Sequence, residues 1–258
     1  MRFNVLGQLE IVTDDARVLN LKAPKVCQVV GLLLLRAGET VSADILAGDL
    51  WGENPPHSAA TTLQTYIYYA RKFFDEHTPV TPGRSLLVTR PPGYVMDVDP
   101  DEVDAIRFER LVATARALLG QGRADEALAA LHSALGLWRG RLLANAVGGN
   151  AVNAHADQLE ETRLRAQELR IEAQMLCGRH RDLVGELRRL IAVHPYHEWF
   201  HGQLIRALAR SGRRAEALNA YKDLRRLLDE ELGVEPALEI QKLRNEILER
   251  RRPATALA

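Results

Sequence analysis

The sequence predicts a mixed α+β N-terminal domain followed by an all-α, tetratricopeptide-like helical stack. Three observations lead to this prediction. Short alternating apolar segments fill residues 1–22, helical periodicity is nearly continuous after residue 101, and a Gly-Arg motif recurs in the second half. At 258 residues, the chain is long enough for two domains of ordinary size.

The composition excludes several classes of protein. Hydrophobic residues make up 47% of the chain and charged residues 26%, as in ordinary globular proteins. The longest apolar run, Val29–Leu35, is too short to span a bilayer, and the first residues lack the pattern of a signal peptide. The two cysteines, Cys27 and Cys177, suit a reducing compartment. We therefore expect a cytoplasmic protein without a membrane partner or a disulfide framework.

The first half has the element order of a winged helix-turn-helix. Pro24 and Gly38 bound a nearly all-apolar helix, whereas Ser42 and Ser58 are placed to cap a second and a third helix. Residues 86–98 then alternate around a Pro-Pro-Gly turn, as in a β-hairpin. Strands, three helices and a terminal hairpin in this order predict a mixed α+β N-terminal winged helix-turn-helix.

The second half contains an internal repeat. A Gly-Arg pair begins at Gly122, Gly178 and Gly212, and an acidic residue follows four positions after each glycine. The interval from Gly178 to Gly212 is 34 residues, which is the period of tetratricopeptide helix pairs. The preceding interval is longer and includes a poorly periodic insert, residues 139–157. We therefore expect stacked helical hairpins that offer a surface to a partner.

One face of the third helix, Ser58–Asp75, is a candidate for reading DNA. Leu63, Ile67, Ala70 and Phe74 form an apolar stripe. The other face is polar and carries Thr61, Thr62, Gln64, Thr65, Tyr68, Tyr69, Arg71 and Lys72. Gln pairs with adenine, Thr methyls touch thymine methyls, and basic side chains neutralise phosphates. The alternative is a solvated helix face, although two tyrosines beside Arg-Lys favour the DNA interpretation.

Further cationic side chains are candidates for contacts beside this helix. Arg90, at the hairpin tip, is placed to enter the adjoining minor groove, and Arg84 and Lys25 are candidate backbone contacts. The formal net charge of the chain is zero. DNA binding would therefore depend on locally placed charges, because no strongly basic domain is present.

A second motif points to a different function. His197-Glu198-Trp199-Phe200-His201 matches H-E-x-x-H, the helix motif of zinc metalloproteases. A catalytic zinc also needs a third protein ligand and an open position, and nearby Glu216 is explained by the repeat. We therefore interpret the motif as the start of a helix and expect no enzyme, metal or cofactor. A zinc hydrolase, or an adaptor that does not bind DNA, is the alternative function.

Many dispersed segments occur together in the order found in one known family. They include MRFNVLGQLEI, LLLLRAGETVS, LWGENPP, TLQTYIYYARK, TRPPGYVMDVDPDEVDAIRFERLV, ALGLWRGRLLA and RSGRRAEALNAYKDLRRLLDEELGVEP. The chain in this respect resembles the SARP-type antibiotic-pathway regulators, which are bacterial transcription activators. The resemblance implies an OmpR-like winged-helix DNA-binding domain over 1–98, a bacterial transcriptional activation domain over 99–252 and a tail over 253–258.

The resemblance also implies a function and a set of partners. It predicts a sequence-specific activator of a secondary-metabolite (antibiotic) biosynthetic gene cluster, located in the cytoplasm and associated with the nucleoid. Such proteins bind direct repeats in double-stranded promoter DNA as homodimers or side-by-side protomers. They recruit the RNA polymerase holoenzyme, for which sigma and the alpha C-terminal domain are the expected contacts.

By position, the resemblance assigns DNA contacts to individual residues. The residues that it places against the groove or its walls are Thr62, Gln64, Thr65, Tyr66, Tyr68, Tyr69 and Arg71. It predicts that Trp51 contacts a phosphate. It also matches Lys25 to a lysine that recurs at the start of the first helix, and it places Arg90 in the wing. Family recognition helices commonly have Arg-Asn where this chain has Ala60-Thr61, and Ser-Arg where it has Tyr68-Tyr69. We therefore expect weaker phosphate anchoring than in other members.

Overall fold

The computed structural model describes residues 1–77 and 85–249. The chain forms two compact units. The first contains Met1–Ala117 and Ala129–Gln167, and the second contains Leu118–Leu128 and the described residues from Glu168 onward. The first unit therefore combines the N-terminal region with segments from the second half of the sequence. The domain boundary between residues 98 and 99 remains a prediction.

The N-terminal region has two small antiparallel sheets and three helices, which confirms the winged helix-turn-helix. The first sheet has the order β1-β2-β3 and the second the order β4-β6-β5, so β4 is a third strand beside the predicted hairpin. In chain order the elements are β1 (Arg2–Asn4), β2 (Glu10–Val12), β3 (Val18–Leu19), α1 (Pro24–Leu35), β4 (Val41–Ser42), α2 (Ala43–Trp51), α3 (Ala59–His77), β5 (Leu87–Arg90) and β6 (Gly93–Met96).

Helix α1 is the centre of this core. Every residue from Val26 to Leu34 is buried, and the helix packs against α2, α3 and β6. Ser42 caps α2 as predicted, because its Oγ accepts a hydrogen bond from the backbone N–H of Ile45 (3.2 Å). The burial of this apolar helix fixes the positions of α2 and α3.

The second half is helical, as the periodicity predicts. After a short 3₁₀ turn, its helices are α4 (Asp104–Gly120), α5 (Ala124–Leu135), α6 (Asn150–Leu176), α7 (His180–Val193), α8 (Glu198–Arg210), α9 (Arg214–Leu232) and α10 (Leu238–Glu249). In the second unit, α7 packs against α8, α8 against α9, and α10 against both α8 and α9. None of the helices in the described ranges is long and apolar enough to cross a membrane.

The three Gly-Arg pairs form the same turn, which confirms the repeat. Gly122, Gly178 and Gly212 have φ values of +75°, +75° and +79°, a left-handed conformation that favours glycine. In each pair, the arginine donates its backbone N–H (2.9 Å) to the carbonyl five residues earlier, as in a Schellman motif. The recurring sequence therefore marks the points at which one helix ends and the next begins.

The insert between α5 and α6 is an ordered part of the first unit. The backbone N–H groups of Arg139, Leu143 and Ala144 donate to carbonyls of residues 5–7 at 2.8 to 3.0 Å. The Oδ1 atom of Asn145 also accepts a hydrogen bond from the N–H of Leu9 (2.7 Å). The predicted insert, 139–157, extends too far, because α6 already begins at Asn150.

Two buried carboxylates tie distant segments of this unit together. Asp104 accepts hydrogen bonds from the backbone N–H of Val5 (2.7 Å) and of Leu6 (3.1 Å). Asp49 accepts them from Gln28 Nε2 (2.7 Å) and from the N–H of Val152 (3.0 Å). Both side chains satisfy polar groups that would otherwise be buried without a partner.

The Asp104 carboxyl makes the stability of the first unit depend on pH. Burial raises its pKa to about 6, although the two N–H donors oppose this. Between its ordinary pKa and 6, the folded protein holds this proton more tightly than the unfolded chain. The contribution of Asp104 to the free energy of unfolding therefore falls as the pH rises through this range.

We predict that Asp104→Asn removes this pH dependence. The difference in the free energy of unfolding between the original protein and the variant should fall by about 2 kcal/mol from pH 4 to pH 7. Urea titrations of both proteins at several pH values measure this difference. A difference that stays constant with pH would contradict the assignment.

Candidate nucleic-acid interface

Helix α3 has one buried and one exposed face. Its stripe of Leu63, Ile67, Ala70 and Phe74 is buried, and the Phe74 ring packs edge-on against Phe3 with centroids 6.5 Å apart. This packing fixes the rotation of the helix about its axis, because residues three and four apart share a face. The polar side predicted to read DNA therefore points away from the core.

The exposed face of α3 carries the two tyrosines and the glutamine. Tyr68 is 60% and Tyr69 54% exposed, and their rings meet edge to face at 5.7 Å. Gln64 and Thr65 are also exposed, whereas Thr62 is half-buried. Large exposed rings that contribute little to a core are typical of a binding surface.

Trp51 and Tyr66 form a stacked pair between the end of α2 and α3. Their ring centroids are 6.4 Å apart with an interplanar angle of 20°, and both residues are half-buried. Part of each residue therefore remains accessible to solvent. Two residues that the family resemblance singled out are thus neighbours in space.

Arg71 connects α3 to the hairpin. Its Nε donates a hydrogen bond to the carbonyl of Leu87 (2.9 Å), and its Nη2 donates to Thr89 Oγ1 (2.7 Å). Both acceptors lie on β5, so the guanidinium holds the hairpin against the helix. The sequence gives no signal for these bonds, since the partners are 16 and 18 residues away.

The hairpin is a three-stranded wing. Ser42 of β4 pairs with Gly93 of β6, which in turn pairs with Arg90 of β5. A Cβ at Gly93 would lie 1.8 Å from the carbonyl oxygen of Val41, so only glycine allows β4 to approach this closely. The side chain of Arg90 is exposed where β5 enters the turn, and no residue in the described part of the chain forms a hydrogen bond or an ion pair with its guanidinium group.

The remaining predicted cations lie in different settings. Lys25 Nζ donates to the carbonyl of Leu50 (2.8 Å) near the C-terminal end of α2, which is a favourable place for a cation. Lys72 lies on the exposed side of α3 and pairs with Glu76 (3.8 Å) one turn later. Arg84 lies outside the described residues.

The zinc-like motif begins a helix, and each of its polar residues has another partner. The Nε2 atom of His201 lies 2.9 Å from the carbonyl oxygen of Pro195, and burial lowers the pKa of this buried imidazole. His197 Nε2 lies 3.4 Å from a carboxylate oxygen of Glu168. The carboxylate of Glu198 accepts a hydrogen bond from the N–H of Ala237 (2.7 Å). Within residues 1–77 and 85–249, no group of three or more His, Cys, Asp or Glu is arranged to hold a metal.

The winged helix, the exposed polar face of α3 and the helical second half define a class, the winged-helix transcription regulators. Residues 19–96 match the family described as "Transcriptional regulatory protein, C terminal". Residues 103–248 match the family "Bacterial transcriptional activator domain".

Curated relatives and a solved structure identify the family. The regulatory protein DnrI of Streptomyces peucetius is 40% identical over 96% of this chain and 92% of its own length. The transcriptional regulator RedD of Streptomyces coelicolor is 35% identical over 96% of this chain and 70% of its own. The structure of Mycobacterium tuberculosis EmbR in complex with a low-affinity phosphopeptide matches with a TM-score of 0.89 and 30% identity, over 97% of this chain and 65% of EmbR. The chain belongs to the SARP family and is a transcriptional activator, not an enzyme.

We predict that Arg71→Met loosens the wing. The variant keeps the aliphatic stem of the side chain but loses both hydrogen bonds to β5. Amide hydrogen exchange across Leu87–Met96 should therefore become at least fivefold faster, because the strand pairing opens more often. The matched control is Lys72→Met, which removes the neighbouring charge on α3 and should leave this exchange unchanged. Equal exchange in the two variants would show that Arg71 does not hold the wing.

Proposed function

We propose that this protein is a sequence-specific activator of a secondary-metabolite (antibiotic) biosynthetic gene cluster and binds direct repeats in promoter DNA. The observation that supports this most strongly is the exposed face of α3, where Gln64, Tyr68 and Tyr69 point away from the core beside the wing. The family supports a role in transcription. The DNA contacts, the repeats and the polymerase contacts are our proposal.

In this proposal, α3 lies in the major groove. The groove is about 12 Å wide and accepts a helix about 10–12 Å in diameter. Gln64 is placed to form two hydrogen bonds with adenine, and the methyl groups of Thr62 and Thr65 to contact thymine. Tyr68 and Tyr69 pack against the groove walls, where their hydroxyl groups reach phosphates. The base contacts give specificity, and the phosphate contacts give position.

The wing and its neighbours provide the backbone contacts. Arg90 is exposed and enters the adjoining minor groove, while the half-buried Trp51 and Tyr66 meet the phosphates. Lys25, Lys72 and Arg84 supply further positive charge. Arg71 contributes in two ways, since it faces the groove wall and also holds β5 in place.

The assembly that we propose follows from the neutral charge of the chain. A protein with a formal net charge of zero and few local cations releases few counterions on one DNA site, so one protomer binds a single repeat weakly. Two side-by-side protomers on repeats about one helical turn apart bind together more tightly. Contacts to RNA polymerase through sigma and the alpha C-terminal domain stabilise the complex further. The protein acts on the nucleoid in the cytoplasm.

We predict that Gln64→Ala reduces discrimination between bases more than overall affinity. Loss of a bidentate contact with adenine should reduce discrimination at one base pair by about 1–3 kcal/mol, whereas nonspecific binding should stay nearly unchanged. Gel-shift titrations measure this with the promoter upstream of a neighbouring biosynthetic cluster and with singly substituted repeats. Gln8→Ala is the matched control, because Gln8 is also exposed but lies in the N-terminal β1–β2 turn. Unchanged discrimination in Gln64→Ala would show that α3 does not read the bases through this residue.

We predict that Arg90→Ala weakens binding to every sequence by a similar factor. If Arg90 neutralises one phosphate, the plot of log affinity against log salt should become less steep by about 0.9. The control is Arg189→Ala, which removes an exposed arginine from α7. A slope that does not change in Arg90→Ala would place the wing away from the DNA backbone.

A further inference from the structure

Helices α8, α9 and α10 each pack against the other two, and the group has two chemically different ends. At one end, the carboxylate of Glu198 on α8 accepts the N–H of Ala237, directly before α10 (2.7 Å). At the other end, Arg214 Nη2 on α9 donates to the carbonyl of Leu248 on α10 (2.9 Å). Helix α9 therefore runs antiparallel to both α8 and α10, which are parallel to each other, and α9 spans the distance between the two ends.

The end at Arg214 holds a cavity of about 390 Å³, which we call the arginine cavity. Arg206, Arg210 and Arg214 line it together with Leu243, Glu246 and Ile247. Arg206 and Arg210 are one helical turn apart, and no described carboxylate pairs with either of them. Arg214 is held by its bond to Leu248. The cavity thus holds Arg206 and Arg210, neither of which forms an ion pair with a described residue, together with Glu246 and the apolar Leu243 and Ile247. An excess of positive charge beside apolar side chains favours an acidic partner with apolar side chains.

The opposite end, at Ala237, has an acidic surface with exposed apolar side chains, which we call the acidic apolar patch. Its apolar members are Leu232, Val234 and Leu238, whose exposed fractions are 54%, 49% and 71%. Its acidic members are Asp229, Glu230, Glu231 and Glu239, all of which are exposed. No described cation pairs with Glu230 or Glu231. Exposed aliphatic side chains among unpaired carboxylates are typical of an interface.

We propose that the acidic apolar patch of one protomer docks onto the arginine cavity of a second copy of this chain. The carboxylates at Glu230 and Glu231 meet the guanidinium groups of Arg206 and Arg210, and the exposed leucines cover the apolar side chains of the cavity. The two surfaces lie at opposite ends of the same helices, so the contact is head to tail. This inference rests on the proposed function, because direct repeats place copies in the same orientation.

A head-to-tail contact matches direct repeats for a reason of symmetry. Copies on direct repeats are related by a screw operation along the DNA and not by a two-fold axis, so they touch through two different surfaces. The DNA limits the length of the array, since each repeat holds one protomer. The charge complementarity also makes the contact weaken as ionic strength rises.

Charge reversal tests this contact in the full-length chain. The variants are Arg206→Glu/Arg210→Glu, Glu230→Arg/Glu231→Arg and the fourfold variant that combines both pairs. Gel-shift titration with one-repeat and two-repeat promoter DNA gives the cooperativity factor of each protein. Arg189→Glu is the control on α7, outside both surfaces, and makes the same charge change as Arg210→Glu alone.

We expect each double variant to lose at least tenfold in cooperativity while its affinity for one repeat stays unchanged. The fourfold variant should regain most of the cooperativity, since reversed charges again face each other. Arg210→Glu and Glu231→Arg alone, both at exposed positions, should give smaller losses in the same direction. These milder variants keep the test valid if a double variant unfolds.

Two outcomes would overturn the proposal. One is full cooperativity in both double variants, and the other is a folded fourfold variant that regains none. If Arg206→Glu/Arg210→Glu lowers promoter activation but keeps cooperativity, the cavity binds the transcription machinery and the head-to-tail contact is wrong. Failure of the original protein to bind the two-repeat promoter DNA would count against the proposed function instead.

Discussion

The burial of one stripe on α3 determines the architecture of the candidate interface. Leu63, Ile67, Ala70 and Phe74 lie on the same side of the helix, and their contacts with the core fix its rotation. Because the rotation is fixed, the polar residues between the stripe positions lie on the opposite, exposed side of the helix. Arg71, next to a stripe residue, comes within reach of β5 for the same reason. The exposed face, the wing and their relative placement all depend on this packing.

Two buried carboxylates connect the N-terminal region to segments that come later in the chain. Asp104 satisfies backbone N–H groups of residues 5 and 6, and Asp49 satisfies that of Val152. A buried polar atom without a partner costs about 1–3 kcal/mol, so each bond stabilises the arrangement of two distant segments. The winged helix therefore packs as one unit with parts of the activation domain.

The sequence predicts features that local patterns determine. The apolar stripe of α3, the cap at Ser42 and the turns at Gly122, Gly178 and Gly212 each follow from residues within a few positions, and the structure confirms them. The family resemblance adds Tyr66 and Trp51, whose stacking no local pattern indicates.

Long-range contacts explain what could not be predicted. β4 contains only two residues, and its pairing with β6 depends on a strand about 50 positions later in the chain. The hydrogen bonds of Arg71 and the packing of the insert against residues 5–9 also join distant segments. The zinc-like motif has the spacing of a metal site, but His197, Glu198 and His201 contact other groups of the protein. These partners lie on α6 and in two loops, far from the motif's local pattern.

The structure of the protein bound to a promoter fragment with two direct repeats tests the central claim most directly. We expect α3 of each protomer to lie in a major groove, with Gln64 within hydrogen-bond distance of a base edge and the Tyr68 and Tyr69 rings against the groove walls. A complex in which this side of α3 faces solvent while another surface contacts the DNA would contradict it.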